Sequence, residues 1–238
     1  MKVRGLIFDY GGTLDTGGHH WARIFWQACQ QAAVPVSEQQ FREAYVFGER
    51  TLGRNPIVKP TFTFLQTLEA KTGLQMQQLF PDDSEKAAAY ARQVADISYV
   101  HARRCTAHSR EVLQRLCRHY PMVLVSNFYG NIATVLGEFG LDGLFLHIVE
   151  SAVVGIRKPD PRIFSLGVEA LGLPAAEVMV VGDSIDKDIV PARQAGCQTV
   201  WTKGLGWTDD EPDATAADHV ITDLDQLFPL LLPNNCTL

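Results

Sequence analysis

The sequence predicts an α/β fold: a doubly wound parallel sheet with a smaller all-helical domain inserted into it. Three observations support this. Short apolar runs at 3–8, 122–125, 146–149, 178–181, 199–202 and 220–222 read as strands, and several are continuously apolar, as in parallel strands covered on both faces. Helical patterns at 109–119, 131–139, 161–171 and 189–195 alternate with those strands. One stretch breaks the alternation: between the first and second strands the chain offers only amphipathic helical segments, at 20–33, 38–48, 61–72 and 84–103.

The first strand, 3–8, ends in Asp9 and two glycines, so a buried strand delivers a carboxylate to a crowded turn. The helical insert that follows has the size of a domain. The expected division is therefore 1–16 and 105–238 for the sheet domain and 17–104 for the insert. Gly17 and Gly18 offer it a hinge, and its position places a lid beside Asp9. The aromatics Trp21, Phe25, Trp26, Phe41, Tyr45, Phe47, Phe62 and Phe64 are expected to pack inside it, with Arg50, Arg54 and Lys59 solvated. After the last strand the segment beyond Pro229 is expected to be a ragged surface end.

Composition narrows the class further. The chain has 238 residues, 46% hydrophobic and 20% charged, with a net charge of -6. That is an ordinary globular balance, and the negative charge disfavours a nucleic-acid partner. No apolar stretch approaches the ~18 residues needed to span a bilayer, and the N-terminus lacks a signal-peptide pattern. The expectation is a cytoplasmic protein without a membrane partner. Its five cysteines (Cys29, Cys105, Cys117, Cys197, Cys236) form no CxxC pair and are expected to be reduced thiols.

In an open parallel sheet, ligands bind beyond the carboxyl ends of the strands. The residues there are Asp9, Ser126 with Asn127, Lys158 after a loop, and Gly182-Asp183 with Asp188. Singly, each has a plainer reading as a turn, cap or solvated residue. Together, four polar clusters at one sheet edge point to a site. Asp9 can attack phosphorus as a carboxylate nucleophile, and Lys158 can hold nucleophile and phosphoryl oxygens together. Asp9 and Asp183 can supply the few oxygens that Mg²⁺ prefers, while Ser126 and nearby N–H groups receive phosphoryl oxygens. In "RKPDPRIF" Pro159 stiffens the approach, Asp160 can cap a helix and Pro161 suits its first turn.

The segments "FDYGGTL", "VLVSN", "GIRKPDPRIF" and "VVGDSIDKD", in this order, resemble the four motifs of the haloacid dehalogenase superfamily over about residues 1–16 and 105–228. The resemblance implies a Rossmann-like core with a helical cap at the first cap position, usually covering the site and selecting small phosphorylated substrates. It implies Asp9 as nucleophile, Ser126, Asn127 and Lys158 as phosphate-binding residues, and Mg²⁺ held by Asp9, the Gly11 carbonyl and Asp183. Asp188 is implied as a further ligand or as an acid supporting the others.

Gly11 departs from the family pattern. Its phosphatases resemble DxDGT, whose second Asp protonates the leaving group and then activates water. Gly11 keeps the carbonyl and loses an acid worth ~10²–10⁴-fold. Asp15, His19 and His20 follow closely enough to substitute for it, and a positive φ at Gly11 would make any Cβ there costly. The pattern favours a Mg²⁺-dependent phosphohydrolase. A dehalogenase, whose motif resembles DxYGT and whose halide leaves without a proton, and a catalytically silent phosphate-binding protein are the alternatives.

Overall fold

The structure is a computed structural model that describes residues 2–210 and 212–232; Cys236 lies outside the described residues. Six strands form one parallel sheet: β1 (Gly5–Phe8), β2 (Met122–Ser126), β3 (His147–Glu150), β4 (Val178–Gly182), β5 (Gln198–Thr202) and β6 (His219–Ile221), in the order β3-β2-β1-β4-β5-β6. Alternate residues feed two cores. Leu6, Phe8, Met122, Leu124, Met179 and Val181 pack on one face, and Ile7, Val123, Val125, Val178 and Val180 on the other. Both faces are covered, which is why these strands read as unbroken apolar runs. The chain winds away from β1 in opposite directions through β2 and β4, so the crevice at their carboxyl ends is the switch point of the topology.

Between β1 and β2 run four helices: α1 (Trp21–Gln31), α2 (Glu38–Arg54), α3 (Phe64–Leu79) and α4 (Ser84–Leu116). Reciprocal capping boxes, Ser37 with Gln40 and Thr63 with Gln66, set the starts of α2 and α3. The sequence reads 84–103 and 109–119 as two helices, but α4 is one helix of 33 residues, and the expected domain boundary at 104/105 falls inside it. Ser109 does not cap a new helix: its Oγ donates to the Leu14 carbonyl at 2.7 Å. Ala102, Thr106, Ser109, Val112, Leu113 and Leu116 meanwhile continue one buried stripe at helical spacing.

The remaining helices are α5 (Ile132–Glu138), α6 (Ser151–Val154), α7 (Arg162–Leu171), α8 (Val190–Gln194) and α9 (Leu227–Leu231), and a π-helical turn at Ile185–Ile189 precedes α8. Asp160 Oδ1 accepts from Arg162 N–H (3.0 Å) at the start of α7, with Pro161 beside it, as the local pattern predicts. α9 runs past Pro229 to Leu231, which is buried together with Leu227 and Phe228, so the chain just beyond Pro229 packs on the core; residues 233–238 lie outside the described residues. Phe47 is 41% exposed, unlike the other aromatics expected to pack in the insert. Cys29, Cys105, Cys117 and Cys197 are free thiols. Among the described residues no helix is long and apolar enough to cross a membrane.

Candidate active site

Asp9 leaves the end of β1 and is buried. Its Oδ1 accepts hydrogen bonds from Lys158 Nζ (2.6 Å) and from Ser126 Oγ, at the end of β2 (3.2 Å). Lys158 Nζ also donates to Asp188 Oδ1 at 2.6 Å, so one ammonium bridges two carboxylates. Asn127 fixes that lysine from behind. Its Oδ1 accepts from Lys158 N–H (3.0 Å), and its Nδ2 donates to the Lys158 carbonyl (3.1 Å). Asp188 is held in turn by Ser184 N–H, which donates to its Oδ2 at 3.0 Å.

Asp183 follows β4 and stands beside the loop after β1. Thr13 Oγ donates to Asp183 Oδ1 (3.2 Å) and weakly to Asp9 Oδ2 (3.4 Å). Two glycines make this crowding feasible. A Cβ on Gly12, at φ +104°, would lie 2.4 Å from the Asp183 carboxyl, and one on Gly182 would lie 2.4 Å from Asp188 Cβ. The positive φ thus belongs to Gly12. Gly11 has ordinary φ and nothing within 4 Å of a Cβ, so the expected barrier to a side chain there is absent.

Carboxylate oxygens of Asp9, Asp183 and Asp188 lie within 4.8 Å of one another, a grouping that could hold a metal ion. The three acids share one nearby ammonium. Burial and mutual repulsion push the Asp183 carboxyl well above the usual carboxylate range; burial, opposed by Lys158, raises that of Asp9. Lys158 itself is raised to about 12: its two carboxylate partners outweigh its burial. Such an excess of buried negative charge is what a divalent cation with hard oxygen ligands would relieve, so the donor set fits Mg²⁺.

A cavity of about 140 Å³ opens onto this cluster. Its core side includes Asp9, Gly11, Asp15, Asn127, Lys158, Asp183 and Asp188, and its other side Trp21, Tyr45, Glu49, Phe64 and Lys71 from α1–α3. Three of the aromatics expected only to pack therefore also face the site. Sequence reasoning missed Lys71, which is buried, pairs with Glu49 at 2.9 Å and lies over the rings of Tyr129, Phe25 and Trp21. Tyr129, in the loop after β2, donates to Glu49 Oε2 at 2.9 Å. The signal was present in α3 as Thr67, Lys71 and Gln75, polar residues four apart on one buried face. Arg50 lies outside this cavity, on the outer hollows beside it, and Gly18 packs against the 202–204 backbone at φ +89°.

The three substitutes for the missing acid separate clearly. His19 Nδ1 accepts from Leu205 N–H (2.8 Å), outside the cavity lining. His20 caps α1, accepting from Ala22 N–H at Nδ1 (3.1 Å), and burial with nearby cations lowers it to about 4. Asp15 lies inside the cavity: its Oδ1 accepts from Gly12 N–H (2.7 Å) and its Oδ2 from Trp21 Nε1–H (3.0 Å).

Comparison with known proteins places the chain among hydrolases of one family. The chain is 28% identical over 229 residues to a phosphoglycolate phosphatase of Yersinia pestis, covering 91% of this chain and 87% of that one. It is 29% identical over 171 residues to a phosphoserine phosphatase of Thermus thermophilus (69% and 68%). A glyceraldehyde 3-phosphate phosphatase of Pyrococcus furiosus is 36% identical over 96 residues, and the chain spans only 40% of its length. Among solved structures, an L-2-haloacid dehalogenase, RSc1362, aligns at TM-score 0.63 and 21% identity over 97% of this chain and 99% of that one, a likeness of fold. The haloacid dehalogenase-like hydrolase family matches residues 3–196, so Asp9, Ser126, Lys158 and Asp183 all stand within the matched region, and the chain belongs to that family of hydrolases.

Proposed function

We propose that this chain is a Mg²⁺-dependent phosphohydrolase that cleaves a small phosphate ester through an aspartyl-phosphate on Asp9, with residues 17–104 serving as the cap. The observation that carries the reading is the Asp9 carboxylate itself. Its Oδ1 is pinned by Lys158 and Ser126, while the side-chain hydrogen bond to Oδ2 is a single long one from Thr13. A nucleophile must be oriented and still hold a free lone pair, and this arrangement provides both.

In the first step an Asp9 oxygen forms a bond to phosphorus as the bond to the leaving oxygen breaks. In the second, water attacks the phosphoryl group, returning Asp9 and releasing inorganic phosphate. Lys158 and the Ser126 hydroxyl are placed to hold phosphoryl oxygens, and Asn127 keeps the Lys158 backbone in register. Bound through Asp9, Asp183, the Gly11 carbonyl and the Asp188 region, Mg²⁺ supplies charge neutralisation for an anion meeting an anion. A cavity of about 140 Å³ suits a short substrate, and the phosphatases among the relatives support a small phosphorylated metabolite. The clustered acids weigh against dehalogenation, which expels halide from carbon and needs no cation.

The test is release of phosphate from a panel of phosphate esters, with Mg²⁺ or with EDTA, beside halide release from a short 2-haloacid. Phosphate release that requires Mg²⁺ supports the proposal. Metal-independent halide release, or no turnover with retained phosphate binding, would replace it with one of the two alternatives.

A further inference from the structure

We propose that Asp15 is the general acid and base of this enzyme, taking over from the neighbouring position the role that Gly11 leaves vacant. The inference rests on the phosphohydrolase reading and goes beyond it, because it assigns the proton transfers to a residue outside the four motifs.

The geometry begins with the turn after β1. Leu14 N–H donates to the Tyr10 carbonyl at 2.9 Å, a helical turn in which positions 11 and 15, four apart, share one face. The Asp15 side chain folds back along that face until Oδ1 meets the Gly12 N–H, directly beside the Gly11 peptide. Nothing lies within 4 Å of the site a Gly11 Cβ would take, so space stays open there for a substrate group to approach. Asp9, Gly11 and Asp15 line the same cavity, and Trp21, whose indole N–H fixes Oδ2, walls it from the cap side.

The charge environment favours a carboxyl that holds a proton. Asp15 is fully buried, and burial, with a smaller contribution from the Asp9 charge, raises it to about 7 against the pull of the Gly12 and Trp21 hydrogen bonds and of Lys71. Asp183, the Tyr10 hydroxyl and the Cys105 thiol are the other titratable groups that feel its charge. Lys71 is the cation that acts on Asp15, and burial outweighs that pull. A carboxyl poised near neutrality can give a proton and take one back.

The chemistry balances in two steps. As Asp9 bonds to phosphorus, the Asp15 proton passes to the leaving oxygen and the alcohol departs. Asp15, now a carboxylate, takes a proton from the water that attacks the phosphoryl group; phosphate leaves, and both acids return to their starting states. The two histidines cannot do this: His19 lies outside the cavity lining, and His20 is neutral at the pH where proton donation is needed.

The experiment measures kcat/KM, which reports the steps through the first irreversible one, across aryl and alkyl phosphates with leaving groups of graded acidity. The wild type should show a shallow dependence that extends to alkyl esters, and its alkyl-to-aryl ratio should fall as pH rises and Asp15 loses its proton. Asp15→Asn should lose ~10²–10⁴-fold on alkyl esters but at most about tenfold on p-nitrophenyl phosphate, steepening the slope. Gly11→Asp in the Asp15→Asn background should flatten it again, since the position is open. A steep slope in the wild type, an alkyl-to-aryl ratio independent of pH, or an Asp15→Asn loss equal for all esters would overturn the assignment. The wild-type slope and pH ratio decide the matter even where Asp15→Asn does not fold. Failure of the wild type to hydrolyse any ester would instead remove the parent reading.

Discussion

At the scale of single residues the site is organised by one buried cation shared between two acids. The Lys158 side chain is 2% exposed, and its partners Asp9 and Asp188 are 6% and 2% exposed, so none of the three is solvated independently. Removing one partner of such a set leaves uncompensated buried charge, costing about 3–5 kcal/mol. Lys158→Met should therefore lower both activity and denaturation temperature, and the thermal loss should shrink when Mg²⁺ is added, because the cation relieves the stranded carboxylates. A calorimetric scan with and without Mg²⁺ checks this; an unchanged transition would mean that the acids are not ionised around Lys158. Asp9→Asn keeps the shape of the site and removes the nucleophile. Its turnover should fall below about 10⁻³ of wild type with the fold intact, read as phosphate release alongside circular dichroism.

At the scale of elements, α2, α3 and the loop after β2 meet over the cavity through Glu49, Lys71 and Tyr129. Lys71→Met should cost more stability in urea denaturation than the double substitution Lys71→Met with Glu49→Gln, because the single change leaves a half-buried carboxylate without its cation and the double change does not. It should also raise KM, since both residues face the substrate space. These elements show what could be read from the sequence. The central strands β1, β2 and β4 were legible because both sheet faces are covered there, which writes continuous apolar runs into the chain. Asp9, Ser126, Lys158 and Asp183 were legible because parallel strands all end at the same edge. The unity of α4 was not: the polar run 104–109 looks like a linker, and only a contact with the Leu14 carbonyl explains why Ser109 is buried. Lys71 was hidden for a similar reason, as a lysine on an amphipathic helix reads as solvated until its partner on another helix is known. Which of two adjacent glycines takes the positive φ also depended on a distant residue, Asp183.

At the scale of the whole molecule, a chain of net charge -6 concentrates several of its acids in one buried crevice, and this couples stability to pH and metal. Asp15 rises from 3.8 to about 7 on folding, and Asp183 is raised well above 3.8, so the metal-free folded state holds protons that the unfolded chain releases. The linkage has a definite sign. The stability contributed by these groups is fully present below about pH 4 and is lost as pH rises through about 7, since the folded state binds more protons than the unfolded one across that window. For Asp15 alone the shift corresponds to a few kcal/mol. A divalent cation reverses the trend, because it competes with protons for the same oxygens and binds best once they are ionised. In EDTA the denaturation temperature should therefore fall between about pH 5 and about pH 7.5, and Mg²⁺ should raise it more at the upper end than at the lower. Differential scanning fluorimetry across that range reads both effects. A metal-free profile that stays flat or climbs would show that the crevice acids are ionised in the folded protein without any cation, and would count against the electrostatic account of the site.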